Sequence, residues 1–284
     1  MRKNKLVMPV LKWVGGKRQL LPQIKKYIPK TINTYYEPFI GGGAVFFEIQ
    51  PKKAVVNDMN DELINVYNVI KNNFEDLVKS LSDKEKYSNT SECFYNIRAI
   101  DRDYTEYNRL SNIQKAARIL YLNKTCYNGL YRVNSAGEFN SPFGNYKNPS
   151  IVNESVLGAV SQYLNEANVK FLNGDFEYAV KTAKKGDFVY FDPPYAPISR
   201  TSNFTGYNEI GFGEREQIRL KELCDKLTKK GVEILVSNSD CEFIRDLYKE
   251  YEIIEIKAKR SINCNANGRG EISEVLITNN ESKK

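Results

Sequence analysis

Four consecutive residues, Asp192-Pro193-Pro194-Tyr195, place a carboxylate, two prolines and a phenol ring side by side. The prolines remove backbone donors and stiffen the turn, leaving carbonyls as outward acceptors. An exocyclic amine on a flat base requires such a set, with two acceptors for its N–H bonds and a ring on which the base can stack. The plainer alternative is a stiff turn whose Asp caps a helix. A second group is Glu37-Pro38-Phe39-Ile40-Gly41-Gly42-Gly43, with Asp58 17 residues beyond Gly41. A glycine turn after a strand lets a ligand approach the backbone, and an acid ending the next strand can accept from ribose hydroxyls. Such a geometry binds an adenosine-containing cofactor, and a plain tight turn is the equally open alternative. NAD is disfavoured because the third glycine of G-x-G-x-x-G is missing and Phe46-Phe47 follow.

The segment Lys12-Trp13-Val14-Gly15-Gly16-Lys17 invites comparison with a phosphate loop but fails it. Leu11 stands where Gly is needed, and Arg18 replaces the metal-binding Ser/Thr. A lysine beside an aromatic and flexible backbone suits a carboxylate-bearing ligand, or is simply a basic turn. The chain has no histidine. That excludes Ser-His-Asp and Cys-His nucleophiles, His-ligated metals and imidazole proton shuttles. The five cysteines, Cys93, Cys126, Cys224, Cys241 and Cys264, show no C-x-x-C spacing and read as reduced thiols of a cytosol-like compartment. No metal site is expected.

Charge points to a polyanion. Lys plus Arg is 42 against 35 acids, a net +7. Residues 1–30 hold nine Lys/Arg and no acid, and Arg109–Ile151 holds six against Glu138 alone. Such regions bind phosphates by releasing counterions, although a solvated basic surface is the plainer account. The first 30 residues fit a transit peptide poorly, being Lys-rich with Gly15-Gly16, Pro22 and Pro29. The apolar stretch Leu6–Leu11 is short and broken by Pro9, so neither a signal core nor a membrane span is expected.

These residues need elements to hold them. Tyr35–Ile40, Ala54–Asn57 and Asp187–Phe191 read as short buried parallel strands, and Val169–Leu172 as a fourth. Helical patterns follow at Ala44, Glu62–Lys71 and Glu214–Lys229; Val232–Val236, Ile253–Lys257 and Glu274–Thr278 supply later strands. Alternation of strand and helix predicts an α/β doubly wound sheet. Residues from about 64 to 151 break that rhythm. They read as helices, with Asn112 as N-cap of Ile113–Asn123, then a polar hairpin over Tyr131–Asn140 turning at Ser135-Ala136-Gly137. At 284 residues one or two domains are expected, and the last five residues should fray.

Taken in order, Lys12–Lys17, Phe39–Gly43 and Asp192–Tyr195 resemble the motifs of the Dam-like adenine-N6 DNA methyltransferases. The resemblance extends over nearly the whole chain. It includes Cys126-Tyr127-Asn128-Gly129-Leu130-Tyr131-Arg132 and Arg269–Asn279, and is greatest to the GATC-methylating branch of Dpn-type restriction-modification systems. It implies a class I methyltransferase-like (Rossmann-like) fold. Residues 1–63 and 152–284 would be the catalytic, S-adenosylmethionine-binding domain, and 64–151 an inserted, mostly helical target-recognition lobe with a β-hairpin. Trp13, Lys17, Gly41, Gly42, Gly43 and Asp58 would hold the cofactor, with Asp175 and Phe176 beside its adenine and Asp192 also adjoining it. Asp192, Pro193, Pro194 and Tyr195 would receive the target adenine. Lys12, Tyr127, Asn128, Leu130 and Arg132 would read double-stranded DNA, with Arg132 bidentate to a guanine.

The implied chemistry flips an adenine out of the stack. Tyr195 would stack on it, a contact of about 1–3 kcal/mol, while Asp192 and the Pro193 carbonyl accept from N6 and free its lone pair. The remaining expectations are a bacterial or phage-like cytoplasmic monomer acting on GATC beside a cognate endonuclease. The alternatives are a methyltransferase of cytosine N4 or protein glutamine, and a catalytically silent DNA-binding protein of the same fold.

Overall fold

A computed structural model describes residues 3–197, 212–259 and 271–280. Cys264, Arg269 and the terminal residues 281–284 lie outside the described residues. Two compact units are formed by the described residues of Met1–Gly16, Gly41–Lys52 and Asp58–Asn173, and of Lys17–Ile40, Lys53–Asn57 and Gly174–Lys284.

Seven strands are described: β1 (Tyr35–Glu37), β2 (Lys53–Asp58), β3 (Asn168–Asn173), β4 (Phe188–Phe191), β5 (Glu233–Ser239), β6 (Glu252–Lys259) and β7 (Glu271–Thr278). In the second unit the order is β2-β1-β4-β5-β7-β6. β1 pairs parallel with β2 and β4, and β4 parallel with β5. β7 enters antiparallel between β5 and β6. Every residue of β4 is buried, as a central parallel strand covered on both faces requires. The strand expected over Tyr35–Ile40 is shorter because Pro38 has no N–H for the ladder. Leu220, Leu223 and Leu227 of the helix Glu214–Lys229 pack in one core with Val189, Val236 and Ile277. This mixed α/β architecture is consistent with a class I methyltransferase-like fold.

The first unit is mainly helical and contains the whole span 64–151. Its helix Asp61–Asn72 starts where the Asn60 side chain accepts from the Leu63 N–H, and buries Leu63, Val66, Tyr67 and Ile70. The central helix is Asn112–Thr125, and its N-cap is Ser111 rather than Asn112. Ser111 accepts from the Gln114 N–H while the Gln114 side chain accepts from the Ser111 N–H, a reciprocal pair unavailable to a cap one residue later. The expected hairpin is present as two antiparallel bridges, Cys126↔Phe143 and Val133↔Phe139. Its loop turns through Gly137 at φ 81, the left-handed position that suits glycine.

Candidate active site

In the second unit, β4 delivers Asp192 at its carboxyl end, where open α/β sheets bind ligands. Asp192 Oδ1 lies 2.9 Å from Lys17 Nζ, and the two side chains are 19% and 7% exposed. The same ammonium lies over the Tyr195 ring, 4.7 Å from its centroid, and Tyr195 donates its hydroxyl to Glu274 of β7 at 2.7 Å. Burial pushes the Asp192 carboxyl above its ordinary range, the Lys17 ammonium opposes that rise, and the Glu274 charge adds to it. Burial likewise drives the Tyr195 phenol up, with Asp192 adding to the effect, so the phenol remains a donor. A carboxylate, a cation-bearing aromatic face and a stiff proline turn are thus concentrated on a few residues. The arrangement can accept hydrogen bonds from an amine and stabilise positive charge developing on it.

The glycine turn lies in the first unit. Gly41 has φ 46, and a Cβ there would fall 2.9 Å from the Trp13 ring, so only glycine fits. The Gly41 N–H donates to Asp58 Oδ2 at 2.9 Å, and the Asn60 N–H donates to Oδ1 at 3.0 Å. Burial raises the Asp58 carboxyl and these backbone donors counter it. Two oriented donors on a carboxylate with about four lone-pair directions leave acceptors for ribose hydroxyls. Side-chain-free backbone beside the Trp13 ring is the cradle that an adenosyl cofactor with a methionine tail needs. Gly43 opens the helix Ala44–Ile49 at φ 70. In the second unit, Asp175 caps the helix Phe176–Ala179 and pairs with Arg219 at 2.6 Å. Phe176 is buried between Phe39 and Phe212, with the Arg219 guanidinium 4.6 Å from its centroid.

The residues expected to read DNA cluster in the first unit. Tyr127 is 58% exposed, and Asn128 has φ 58 in the short turn Tyr127–Gly129. Leu130 follows this turn, half-buried. Arg132 donates from Nε to Asn140 Oδ1 at 2.6 Å and from a terminal nitrogen to the Asn140 carbonyl at 3.2 Å. Those bonds aim the guanidinium across the hairpin. Asn123 pairs with both backbone groups of Lys12 at 2.9 Å and donates to the Gly129 carbonyl at 3.0 Å, so Lys12 is tied to the same lobe.

Tyr131 was hidden inside that motif: it faces inward, stacks on Trp13 with centroids 4.5 Å apart and donates to Glu62 at 2.8 Å. Glu62 also meets Arg118, which reaches Asp101 at 2.6 Å; Asp101 in turn accepts from the Phe139 N–H of the hairpin. Sequence reasoning also missed Glu274, Gln217 and Asn238. The polar run Ser237-Asn238-Ser239 closing a buried strand was a usable signal for the last, since buried amides demand partners. Nothing in the sequence marked Gln217.

A family model described as D12 class N6 adenine-specific DNA methyltransferase matches residues 13–262. A protein of Lactococcus lactis subsp. cremoris named Type II methyltransferase M1.LlaDCHI is 46% identical, over 98% of both chains. Type II methyltransferase M.MjaIII of Methanocaldococcus jannaschii is 43% identical over 96% of this chain and 99% of its own. The DNA adenine methylase of Escherichia coli K12 is 34% identical over 97% of this chain and 95% of its own.

Proposed function

The chain belongs to the D12 class N6 adenine-specific DNA methyltransferases, and from that premise we propose that it methylates the adenine of GATC in double-stranded DNA. Its activity is adenine N6 methylation of DNA, which sets aside cytosine N4 and protein glutamine as acceptors. S-adenosylmethionine is the methyl donor the family implies, and when bound it supplies an electrophilic sulfonium methyl.

The observation that carries the site assignment is the Asp192–Lys17–Tyr195 constellation at the end of β4. Asp192 and the Pro193 carbonyl accept from the two N6–H bonds, draw the nitrogen lone pair out of the ring and stabilise the charge that grows on it. Tyr195 stacks on the flipped base. Trp13, Gly41, Gly42, Gly43 and Asp58 hold the cofactor, joined by Lys17, Asp175 and Phe176. Lys12, Tyr127, Asn128, Leu130 and Arg132 read the duplex. Functionally, 64–151 is the recognition lobe, and 1–63 with 152–284 the catalytic domain. GATC rests on the resemblance of the hairpin motif. A monomer that shares its site with an endonuclease in a bacterial cytoplasm is the setting we propose, by analogy with the Type II name of the Lactococcus relative.

Incubation with labelled S-adenosylmethionine and duplexes that differ at single positions tests this. The expected result is N6-methyladenine in GATC alone from the wild type. Asp192→Ala should still bind cofactor but lose transfer by orders of magnitude. Methylation at another sequence refutes the GATC assignment, and near-normal turnover by Asp192→Ala refutes the site.

A further inference from the structure

Behind the Asp192–Tyr195 turn, two fully buried amides form a relay. Gln217 of the helix Glu214–Lys229 is 1% exposed and Asn238 of β5 is 0% exposed. Gln217 donates to the Pro194 carbonyl at 2.8 Å, Asn238 donates to Gln217 Oε1 at 3.0 Å, and the Ala196 N–H donates to Asn238 Oδ1 at 3.1 Å. Ser239 adds a bond from its hydroxyl to the Ala196 carbonyl at 2.7 Å. The backbone groups at the two ends fix the polarity of the relay: an N–H can only donate and a carbonyl can only accept. Asn238 must therefore turn its oxygen to Ala196 and its NH2 to Gln217, and Gln217 must turn its NH2 to Pro194. No other arrangement satisfies both ends.

The relay grips the backbone on both sides of Tyr195 and occupies the Pro194 carbonyl. Among the described residues, no donor reaches the Pro193 carbonyl. Of the two adjacent proline carbonyls, one is tied down and the other, on the buried Pro193 next to Asp192, takes no donor from the described residues.

We propose that Gln217 and Asn238 are positioning residues for methyl transfer, because their relay fixes the turn with the Pro193 carbonyl and the Asp192 carboxylate as the paired acceptors of the target amino group. This rests on the assignment of Asp192–Tyr195 to the target adenine. Neither residue touches the substrate; they act by holding the acceptor geometry, and misplacement by about 1 Å can cost about 10²-fold in rate.

The test uses the full-length enzyme with Gln217→Leu, Gln217→Met and Asn238→Leu. Gln217→Met keeps the length of the side chain but can neither accept from Asn238 nor donate to Pro194. It serves if the leucine variant does not fold. Affinities for S-adenosylhomocysteine and for a GATC duplex are measured beside the single-turnover rate at saturating cofactor and DNA. In the folded variants both affinities should stay at wild-type values and the single-turnover rate should fall about 10²-fold. A wild-type rate in folded Gln217→Leu or Gln217→Met overturns the proposal. So does a loss spread over thermal midpoint and both affinities in proportion to the rate, which would mark a merely structural role. Asp192→Asn separates the two levels: wild-type transfer in that variant removes the target-site assignment itself, whatever the Gln217 variants do.

Discussion

Asp192 is subject to opposing influences. Burial raises its carboxyl, while the Lys17 ammonium at 2.9 Å favours the ionised form. An ionised Asp192 is the better acceptor for an amine gaining positive charge, so transfer should fail as pH falls through this pKa. With that pKa raised, the acid limb of the single-turnover profile lies above the ordinary aspartate value of about 4. Lys17→Met removes the opposing cation and should move the limb to still higher pH, read at saturating cofactor and duplex. An unmoved limb, or one displaced to lower pH, would show that Lys17 does not govern this carboxylate. The cation also explains how a chain without histidine prepares its acceptor: an ion pair substitutes for a titrating imidazole.

Among the elements, the helix Asn112–Thr125 joins the cofactor-side aromatic pair to the hairpin. Arg118 is 1% exposed and bridges Glu62 and Asp101; Glu62 holds Tyr131 under Trp13, and Asp101 holds the Phe139 backbone. Arg118→Met would take the buried cation from Glu62 and leave Asp101 with Arg102 alone, a loss of about 3–5 kcal/mol in urea unfolding. Adding Glu62→Gln should recover part of it. A cost below about 1 kcal/mol would rank the pair with solvent-exposed ion pairs. This network also marks where sequence reasoning reached and where it stopped. Asp192–Tyr195 and Phe39–Gly43 stood out because their chemistry sits on neighbouring residues and because β4, a short apolar run, and β1, a short aromatic one, lead into them. The pairing of Lys17 with Asp192, of Tyr131 with Glu62 and of Gln217 with Asn238 joins residues far apart in the chain, and spacing carries no trace of it. Asn112 was taken for the cap because it adjoins the apolar pattern, whereas the reciprocal Ser111–Gln114 bonds decide the register. The antiparallel entry of β7 was likewise invisible, since strand direction follows from tertiary pairing.

On the scale of the whole molecule, the net charge of +7 and the specific contacts do separable work. Lysines near the N-terminus, such as the exposed Lys26 and Lys30, can neutralise phosphates of any sequence. Arg132 is instead braced by Asn140 within a hairpin, and in the proposed function its remaining guanidinium donors would meet a base edge. Counterion release gives each neutralised phosphate a slope of about −0.9 in log affinity against log salt. Lys26→Gln with Lys30→Gln should therefore flatten the salt dependence on cognate and random duplexes alike and leave their ratio untouched. Arg132→Ala should do the reverse, costing about 1–3 kcal/mol of discrimination at one base pair with the slope nearly kept. Fluorescence anisotropy titrations over a salt series, with cognate and single-substituted duplexes, measure both quantities at once. Should Arg132→Ala weaken all duplexes equally and flatten the slope by one phosphate's worth, Arg132 is a backbone contact, and sequence reading must be sought at Leu130 and Lys12 instead.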